Sequence, residues 1–388
     1  MERLHLDHNA TTPLRPEARA ALVEALDRGL GNPSAVHGSG RAARALVDDA
    51  RERVAAALGV DEDAVVFTSG GTESDNLAVL GAVAAQPGAR LVTSALEHAA
   101  VHEPARALER GGADVRWVQN DAEGTLDLEH LARLAAVEAP LVVSLMAANS
   151  EIGTVNDLVS AREAVGRARP QGAAEAVLHT DAVQALGKTP ISDVVGAADL
   201  VSLSAHKVGG PVGVGVLVRR IGAPLEARSR GGSQEAGLRA GTESAPLLSA
   251  AAVAVELAVQ EATTYRERLA PVAAAFWAAL GRALPAARLN GPALDAPARL
   301  ANTVNVSFPK YGDARMLVTR LDLGGVEASA GSACASGSLE PSRVISALGL
   351  GDDERVRSAV RFSFGRSALV GDAKRAVESL RITLGEAP

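Results

Sequence analysis

Five stretches of this chain place chemically capable side chains among small residues. Lys207 stands in Ser204-Ala205-His206-Lys207-Val208-Gly209-Gly210, directly after an apolar run. A lysine seldom sits there without a partner or a covalent role. Asp181, in His179-Thr180-Asp181-Ala182-Val183-Gln184, also ends an apolar run. A carboxylate there needs a cation or a hydrogen-bond donor, although a helix cap would use the same residue type. Thr68-Ser69-Gly70-Gly71-Thr72-Glu73-Ser74 offers glycines for close approach to an anion and a helix start whose amides favour negative charge. It lacks the lysine of a nucleotide-triphosphate loop; read alone, it is also an ordinary Thr/Ser cap. His98 follows a further apolar run and would share a helix face with His102. No third ligand accompanies that pair, so no metal site is expected, and a histidine there suits proton transfer or ring stacking. Cys334, the chain's single cysteine, lies in Gly331-Ser332-Ala333-Cys334-Ala335-Ser336-Gly337-Ser338. With no bulky neighbour to pack against, it reads as a candidate nucleophile on a loop or as a small residue among small residues.

One ligand accounts for the first four stretches together: a phosphorylated pyridine aldehyde. Lys207 would hold it as a Schiff base, Asp181 would keep its ring nitrogen protonated, and the ring would then serve as an electron sink. Gly71, Thr72, Ser204 and His206 would hold the phosphate. Gly209 to Gly215 has the wrong spacing for a dinucleotide loop, and no helix pattern follows it.

These residues need elements to carry them. Strands are expected near Val65–Thr68, Leu91–Thr93, Val115–Val118, Leu141–Met146, Val177–Thr180, Leu200–Leu203 and Gly215–Val218, with helical patterns such as Glu73–Gln86, Ala99–Arg110 and Leu126–Ala136 between most of them. That alternation predicts an α/β fold with a mostly parallel seven-stranded sheet covered on both faces. The last two strands lack a full helix between them, so that pair is open to antiparallel pairing. In such a sheet ligands bind beyond the carboxyl ends of the strands, which is where the four loops fall. Pro246 to Leu284 predicts a long helix, kinked or broken at Pro271. Thereafter strands near Thr303–Phe308 and Val360–Phe364, with helices near Ala314–Leu321, Pro341–Leu348 and Val370–Leu384, predict a smaller α+β unit. The expected division is a large domain over 14–255 and a small domain from 1–13 plus 256–388.

Composition bounds the function. Of 388 residues, 47% are hydrophobic and 22% charged, as in an ordinary soluble enzyme. Aromatics are only 2%, so the core must come from Ala, Val and Leu, and base-stacking platforms for nucleic acid are excluded. A net charge of −7 gives no basic field for phosphate backbones. The start, Met1-Glu2-Arg3-Leu4-His5-Leu6-Asp7, has no apolar signal region, and no apolar run is expected to span a bilayer. The Asn9-Ala10-Thr11 sequon is then idle, and a cytoplasmic location, where a free thiol survives, is expected.

The chain resembles the cysteine desulfurases of the class V aminotransferase group, within the fold-type I pyridoxal-phosphate enzymes. The resemblance runs from Leu6-Asp7-His8-Asn9-Ala10-Thr11-Thr12-Pro13 to Arg361-Phe362-Ser363-Phe364-Gly365-Arg366, through Thr68–Asn76, Ser204–Lys207, Arg239–Thr242 and Gly331–Leu350. The last segment is similar to the first subgroup, which has a long, flexible cysteine loop. The resemblance implies pyridoxal 5'-phosphate as cofactor, L-cysteine as substrate and a homodimer. It implies Lys207 as the Schiff-base lysine and base, Asp181 on the pyridinium nitrogen, His98 stacked on the ring and assisting proton transfer, and Gln184 on the ring hydroxyl. Gly71, Thr72, Ser204 and His206 take the phosphate, with Thr242 supplied from the other subunit. Arg361 takes the substrate carboxylate, and Cys334 attacks the substrate sulfur, becoming a persulfide as alanine leaves. The acceptor would be an iron–sulfur scaffold or a tRNA thiolation enzyme. Six extended residues on either side of Cys334 give a reach of roughly 20 Å for that delivery. A free thiol titrates near ~8.5, so a few per cent is thiolate at neutral pH without help. Ala148-Asn149-Ser150-Glu151-Ile152-Gly153 departs from the family pattern, with Ser150 where a second asparagine is usual. The chain also stops soon after its last helix, where some relatives have a longer tail used in docking a scaffold. A selenocysteine lyase or aminotransferase of the same fold, and a non-catalytic scaffold, are the rival readings; an aminotransferase leaves the cysteine loop without a purpose, and a scaffold leaves Lys207 without one.

Overall fold

The computed structural model describes residues 3–29, 31–331 and 341–385. The chain begins with a short strand, β1 (Leu4–His5), and two helices, α1 (Pro16–Asp27) and α2 (Gly38–Leu58). Pro16 starts α1 where its missing N–H has no partner to lose. Strands and helices then alternate: β2 (Val65–Thr68), α3 (Gly71–Ala84), β3 (Arg90–Ser94), α4 (Ala99–Arg110), β4 (Val115–Val118), α5 (Leu128–Ala135), β5 (Leu141–Ser144), α6 (Leu158–Ala168), β6 (Val177–Asp181), α7 (Ser192–Ala197), β7 (Leu200–Ser204) and β8 (Gly215–Arg219). Side chains of Asp127 and Asp157 cap α5 and α6 by accepting from backbone N–H groups in the first turn.

The seven strands form one sheet in the order β2-β8-β7-β6-β5-β3-β4. Pairs among β7, β6, β5, β3 and β4 are parallel. Strand β8 runs antiparallel to both β7 and β2. The antiparallel pairing left open between the last two strands is thus present, and it has a consequence. Because β8 is reversed between them, β2 and β7 point the same way, so the loop after β2 opens on the same sheet edge as those after β3, β5, β6 and β7. Strands β5, β6 and β7 are buried along their whole length, as a sheet covered on both faces requires.

Helix α8 (Ala245–Ala283) leads out of the sheet and packs against α1, α2 and α12 (Val370–Leu384). It runs through Pro271 as one helix rather than breaking there. Leu269, Val272, Ala273 and Phe276 are buried around the proline. Burying each is worth about 1.5–3 kcal/mol for the larger side chains, enough to offset the roughly 3 kcal/mol cost of an internal proline. The expectation that no apolar run could span a bilayer needs correcting too. By length and composition α8 could, but it is a core helix, with 56% of its most apolar window buried inside the protein.

The remaining elements are β9 (Arg288–Asn290), β10 (Thr303–Ser307), α9 (Ala314–Leu323), β11 (Val326–Glu327), α10 (Arg343–Ala347), α11 (Asp353–Arg357) and β12 (Ala359–Ser363). Strand β10 is flanked antiparallel by β9 and β12, and β1 pairs with β11, so the chain's start lies against its last third. Here the core is not only Ala, Val and Leu: Phe276, Phe308, Phe362 and Phe364 cluster together, with Phe276 and Phe362 ring centroids 4.9 Å apart. The few aromatics are concentrated where the smaller sheet has least area to bury.

Candidate active site

A cleft of about 770 Å³ opens at the carboxyl ends of the strands. It joins the loops after β2 (Gly71, Thr72), β3 (His98), β5 (Met146, Ala148, Ser150), β6 (Asp181, Gln184) and β7 (Ser204, His206, Lys207), with Ala10 and Arg361 from outside the sheet. The loops after β2, β3 and β7 are short, so their side chains are placed by the strand before them, and Asp181 is the last residue of β6 itself; the segment after β5 is longer, running over 145–157.

Lys207 sits in a single helical turn directly after β7. Its Nζ donates to the backbone oxygens of Asn9 (2.7 Å) and Ala10 (2.8 Å). Asn9 is buried and links four segments. Its backbone oxygen also accepts from Gln184 Nε2 at 3.0 Å, and its side-chain nitrogen donates to Thr303 Oγ1 at 2.8 Å and to the Ser150 oxygen at 3.0 Å. Thus the N-terminal segment reaches into the cleft beside the lysine. A sugar acceptor it is not: Asn9 is 1% exposed.

Asp181 ends β6 and accepts from the Val183 N–H at 2.9 Å. Burial first, and the nearby Asp75 second, push its carboxyl up to about 6, while His98 and the Val183 N–H act against that rise. Asp75, one turn into α3, is raised by burial to about 7, and its Oδ1 has no hydrogen-bond partner. Donor atoms of Asp75, His98 and Asp181 all lie within 4.8 Å of one another. Two acids held this close in a dry site favour any positive N–H placed against them. Behind them, His179 is held by Ser144 Oγ at 2.8 Å and Ser202 Oγ at 3.0 Å, and burial lowers it to about 4. His98 caps α4, its Nδ1 accepting from the Ala100 N–H at 3.2 Å. In the neutral ring the proton is then on Nε2. Burial is the first cause lowering its basicity, and Asp181 opposes it.

On the phosphate side, the first amides of α3 open on the cleft at Gly71 and Thr72. A Cβ at Gly71 would come within 2.9 Å of Val183 Cγ2, so glycine is required for the helix to start this near the β6 loop. Ser204 Oγ is buried without a hydrogen-bond partner. His206 Nδ1 lies 3.1 Å from Thr11 Oγ1, and burial, then Lys207, lowers it to about 4.

Arg361, on β12, is 1% exposed. It pairs with Asp7 Oδ1 at 2.5 Å and donates to the Ser150 oxygen at 3.2 Å, and its Nε is buried with no partner. Cys334 lies outside the described residues. The flanks of its segment do not. Ser329 exchanges backbone hydrogen bonds with Arg361 at 3.1 and 2.7 Å, and Ser342 Oγ donates to Glu151 Oε2 at 2.5 Å. The chain therefore enters and leaves the cysteine segment beside two residues next to, or in, the cleft.

The structure brings together Lys207, Asp181, His98, Gln184, Gly71, Thr72, Ser204, His206 and Arg361. It does not bring Thr242 to them; that residue opens on another cavity with Phe67, Thr68, Gly213 and Arg239. His102 lies apart as well, its Nδ1 2.9 Å from Glu103 Oε1 and its ring against Trp117. Sequence reasoning missed Asp7, Asn9, Asp75 and Lys188. Asp7 and Asn9 were visible only as part of a run near the N-terminus, far in sequence from the strand ends. Asp75 sits inside the helix that was read only for its first turn.

These residues fit a phosphorylated pyridine. Ser204 Oγ is a buried donor without a partner, the first turn of α3 lines the same cleft, the buried acid pair suits a ring N–H, and Lys207 supplies an amine. Arg361 Nε is a buried donor for a carboxylate.

The aminotransferase class-V family profile matches residues 4–375. The chain is similar to the cysteine desulfurase IscS of Dictyoglomus turgidum, with 39% identity covering 93% of this chain and 89% of that one. It is 42% identical to a cysteine desulfurase of Cereibacter sphaeroides, covering 98% and 95%. Among solved structures it resembles a NifS-like protein with TM-score 0.88 and 31% identity, covering 98% of both chains. It also resembles SspA in complex with cysteine, with TM-score 0.77 and 27% identity, covering 94% and 100%.

Proposed function

Since this chain belongs to the aminotransferase class-V family, as one of its cysteine desulfurases, we propose that the cleft around Lys207 takes sulfur from L-cysteine and passes it to Cys334. One observation carries the reading of the site: a single cleft unites a lysine, a buried acid pair, a helix N-terminus and a buried arginine. Pyridoxal 5'-phosphate is the cofactor in this reading, and when bound it withdraws electrons from the substrate's α-carbon. Lys207 would hold it, Gly71, Thr72, Ser204 and His206 would take the phosphate, Asp181 would serve the ring nitrogen, and Gln184 the ring oxygen. His98 would contact the ring and assist proton transfer.

Arg361 orients the substrate by its carboxylate, a task suited to a fork of N–H donors, and Asp7 holds the guanidinium in place. The Lys207 amine accepts the Cα proton. Cys334, as thiolate, attacks the substrate sulfur. A sulfur–sulfur bond forms, the bond between sulfur and Cβ breaks with its electron pair left on carbon, Cβ is protonated, and Lys207 returns the proton to Cα to give alanine. The sulfur on Cys334 is thereby a persulfide, oxidised by the two electrons the carbon gained.

The protein acts as a homodimer in this reading, with Thr242 contributing to the phosphate site of the partner subunit. Its acceptor is an iron–sulfur scaffold or a tRNA thiolation enzyme in the cytoplasm. The test is Cys334→Ser. The variant should retain bound cofactor, seen by its absorbance, and release no sulfide from cysteine in the presence of a thiol reductant. Undiminished sulfide release would overturn the persulfide route.

A further inference from the structure

Lys188 is a buried lysine with no part in the scheme above. Its Nζ donates to two amide oxygens, Asn9 Oδ1 at 3.0 Å and Gln184 Oε1. Burial holds its amine well below the ordinary lysine range, and Lys207 and Arg361 push the same way. No carboxylate pairs with it among the described residues. A buried amine without a counter-charge is costly, so its two bonds are where its use must lie.

Those bonds settle which way Gln184 faces. Protonated lysine has hydrogens and no acceptor, and the neutral amine still keeps two hydrogens for the same two oxygens. Gln184 Nε2 donates to the Asn9 backbone oxygen at 3.0 Å. Turning the carboxamide over would set its oxygen against that carbonyl and its N–H against the amine. The Asn9 side chain is fixed in the same manner: Asn302 Nδ2 donates to its Oδ1 at 2.9 Å, and its own nitrogen is committed to Ser150 and Thr303. One hydrogen of Gln184 Nε2 remains, and Gln184 lines the cleft with Asp181 and Lys207. Gln184 therefore shows the cleft a donor and not an acceptor.

We propose that Lys188 is a positioning residue for the cofactor's ring hydroxyl: by clamping the Gln184 carboxamide it presents an N–H to that oxygen and favours its anionic form. This rests on the reading of Gln184 given above. It ties Lys188 to the cofactor without contact between them.

The test compares pyridoxal phosphate with its 3-deoxy analogue, which lacks the ring hydroxyl, binding to the cofactor-free full chain at equilibrium. Lys188→Met should weaken pyridoxal phosphate about 10-fold, the scale of one lost hydrogen bond, and leave the analogue within about 2-fold of wild type. Gln184→Leu should show the same selective loss, and the double variant should lose no more than either single one. Equal weakening of both ligands, or of neither, would overturn the proposal. If Lys188→Met does not fold, Lys188→Arg decides: it still donates, so it should keep the wild-type preference for the hydroxylated ligand, and loss of that preference counts against the clamp. Failure of the wild-type chain to retain either ligand would instead bring down the functional reading beneath it.

Discussion

Glu97→Gln should remove a slope in stability against pH. Glu97 is fully buried one residue before His98. Its Oε1 accepts from the Met146 N–H at 3.0 Å and from Ser94 Oγ at 3.2 Å, and its Oε2 has no partner. Burial, with Asp181 and Asp75 adding to it, pushes the carboxyl from 4.5 up to about 8. In the unfolded chain the group is ionised above pH ~4.5. Between those values the folded protein holds a proton that the unfolded chain has released. Stability therefore falls as pH rises through the window, and the fall ends above the folded value. For this single group the loss is about 1 kcal/mol between pH 7 and 8. The acid Asp75, raised to about 7, adds a smaller part there. The buried histidines His8, His179 and His206, lowered to about 3, 4 and 4, are neutral in the fold, while in the unfolded chain each is still partly protonated at pH 7; together they oppose the fall by a few tenths of a kcal/mol (~0.4) between pH 7 and 8, equally in wild type and variant, so they cancel from the comparison. Glutamine keeps the Oε1 contacts and cannot ionise. Denaturant unfolding of the cofactor-free protein at pH 7 and pH 8 reads the slope directly. The variant should be flatter than wild type by about 1 kcal/mol over that unit. Identical slopes would show that Glu97 is not held protonated in the fold.

Two further outcomes follow from contacts in the cleft. Gly71→Ala puts a methyl 2.9 Å from Val183 Cγ2 and 3.4 Å from Ser204 Cβ, so either Val183 or the first turn of α3 must give way, each of which lines the cleft; cofactor affinity by dialysis should fall about 10-fold or more with unfolding midpoints little changed. Asp7→Asn leaves Arg361 buried without its counter-ion, at a cost of about 3 kcal/mol. The melting temperature of the cofactor-free protein should then drop by roughly 4 °C, and an unchanged melting curve would mean that the pair is not what holds the arginine.

The sequence showed the large sheet well because each strand is a short buried apolar run bounded by helix patterns; β2 and β4 fall where they were expected, and helices α4 and α12 end to end. Strand β1 and its partner β11 are two residues each, too short to leave a period-2 signal. The break offered at Pro271 does not occur because burial on both sides of it holds the helix together. The cleft's strand-end residues were legible from their loops, since a polar side chain closing an apolar run has few bland uses. Gln184, Thr242 and Arg361 came only through family likeness, and of these Thr242 lies elsewhere in the single chain.

By itself the sequence determined the chemistry on offer: a lysine, an acid and a glycine-led helix start at successive strand ends, and one thiol among small residues. Residue type and local run decide that much, because Lys207, Asp181 and Gly71 lie at or within a few positions of the end of a strand that delivers them. Only the tertiary structure decided what those groups face. Asp7, Asn9 and Lys188 enter the site through contacts between segments 175 or more positions apart, and no local pattern encodes such pairings. The same holds for the protonation of Asp75, Glu97 and Asp181. A carboxylate's charge depends on the water and the neighbouring acids removed or added by packing, and those are fixed only when the chain has folded.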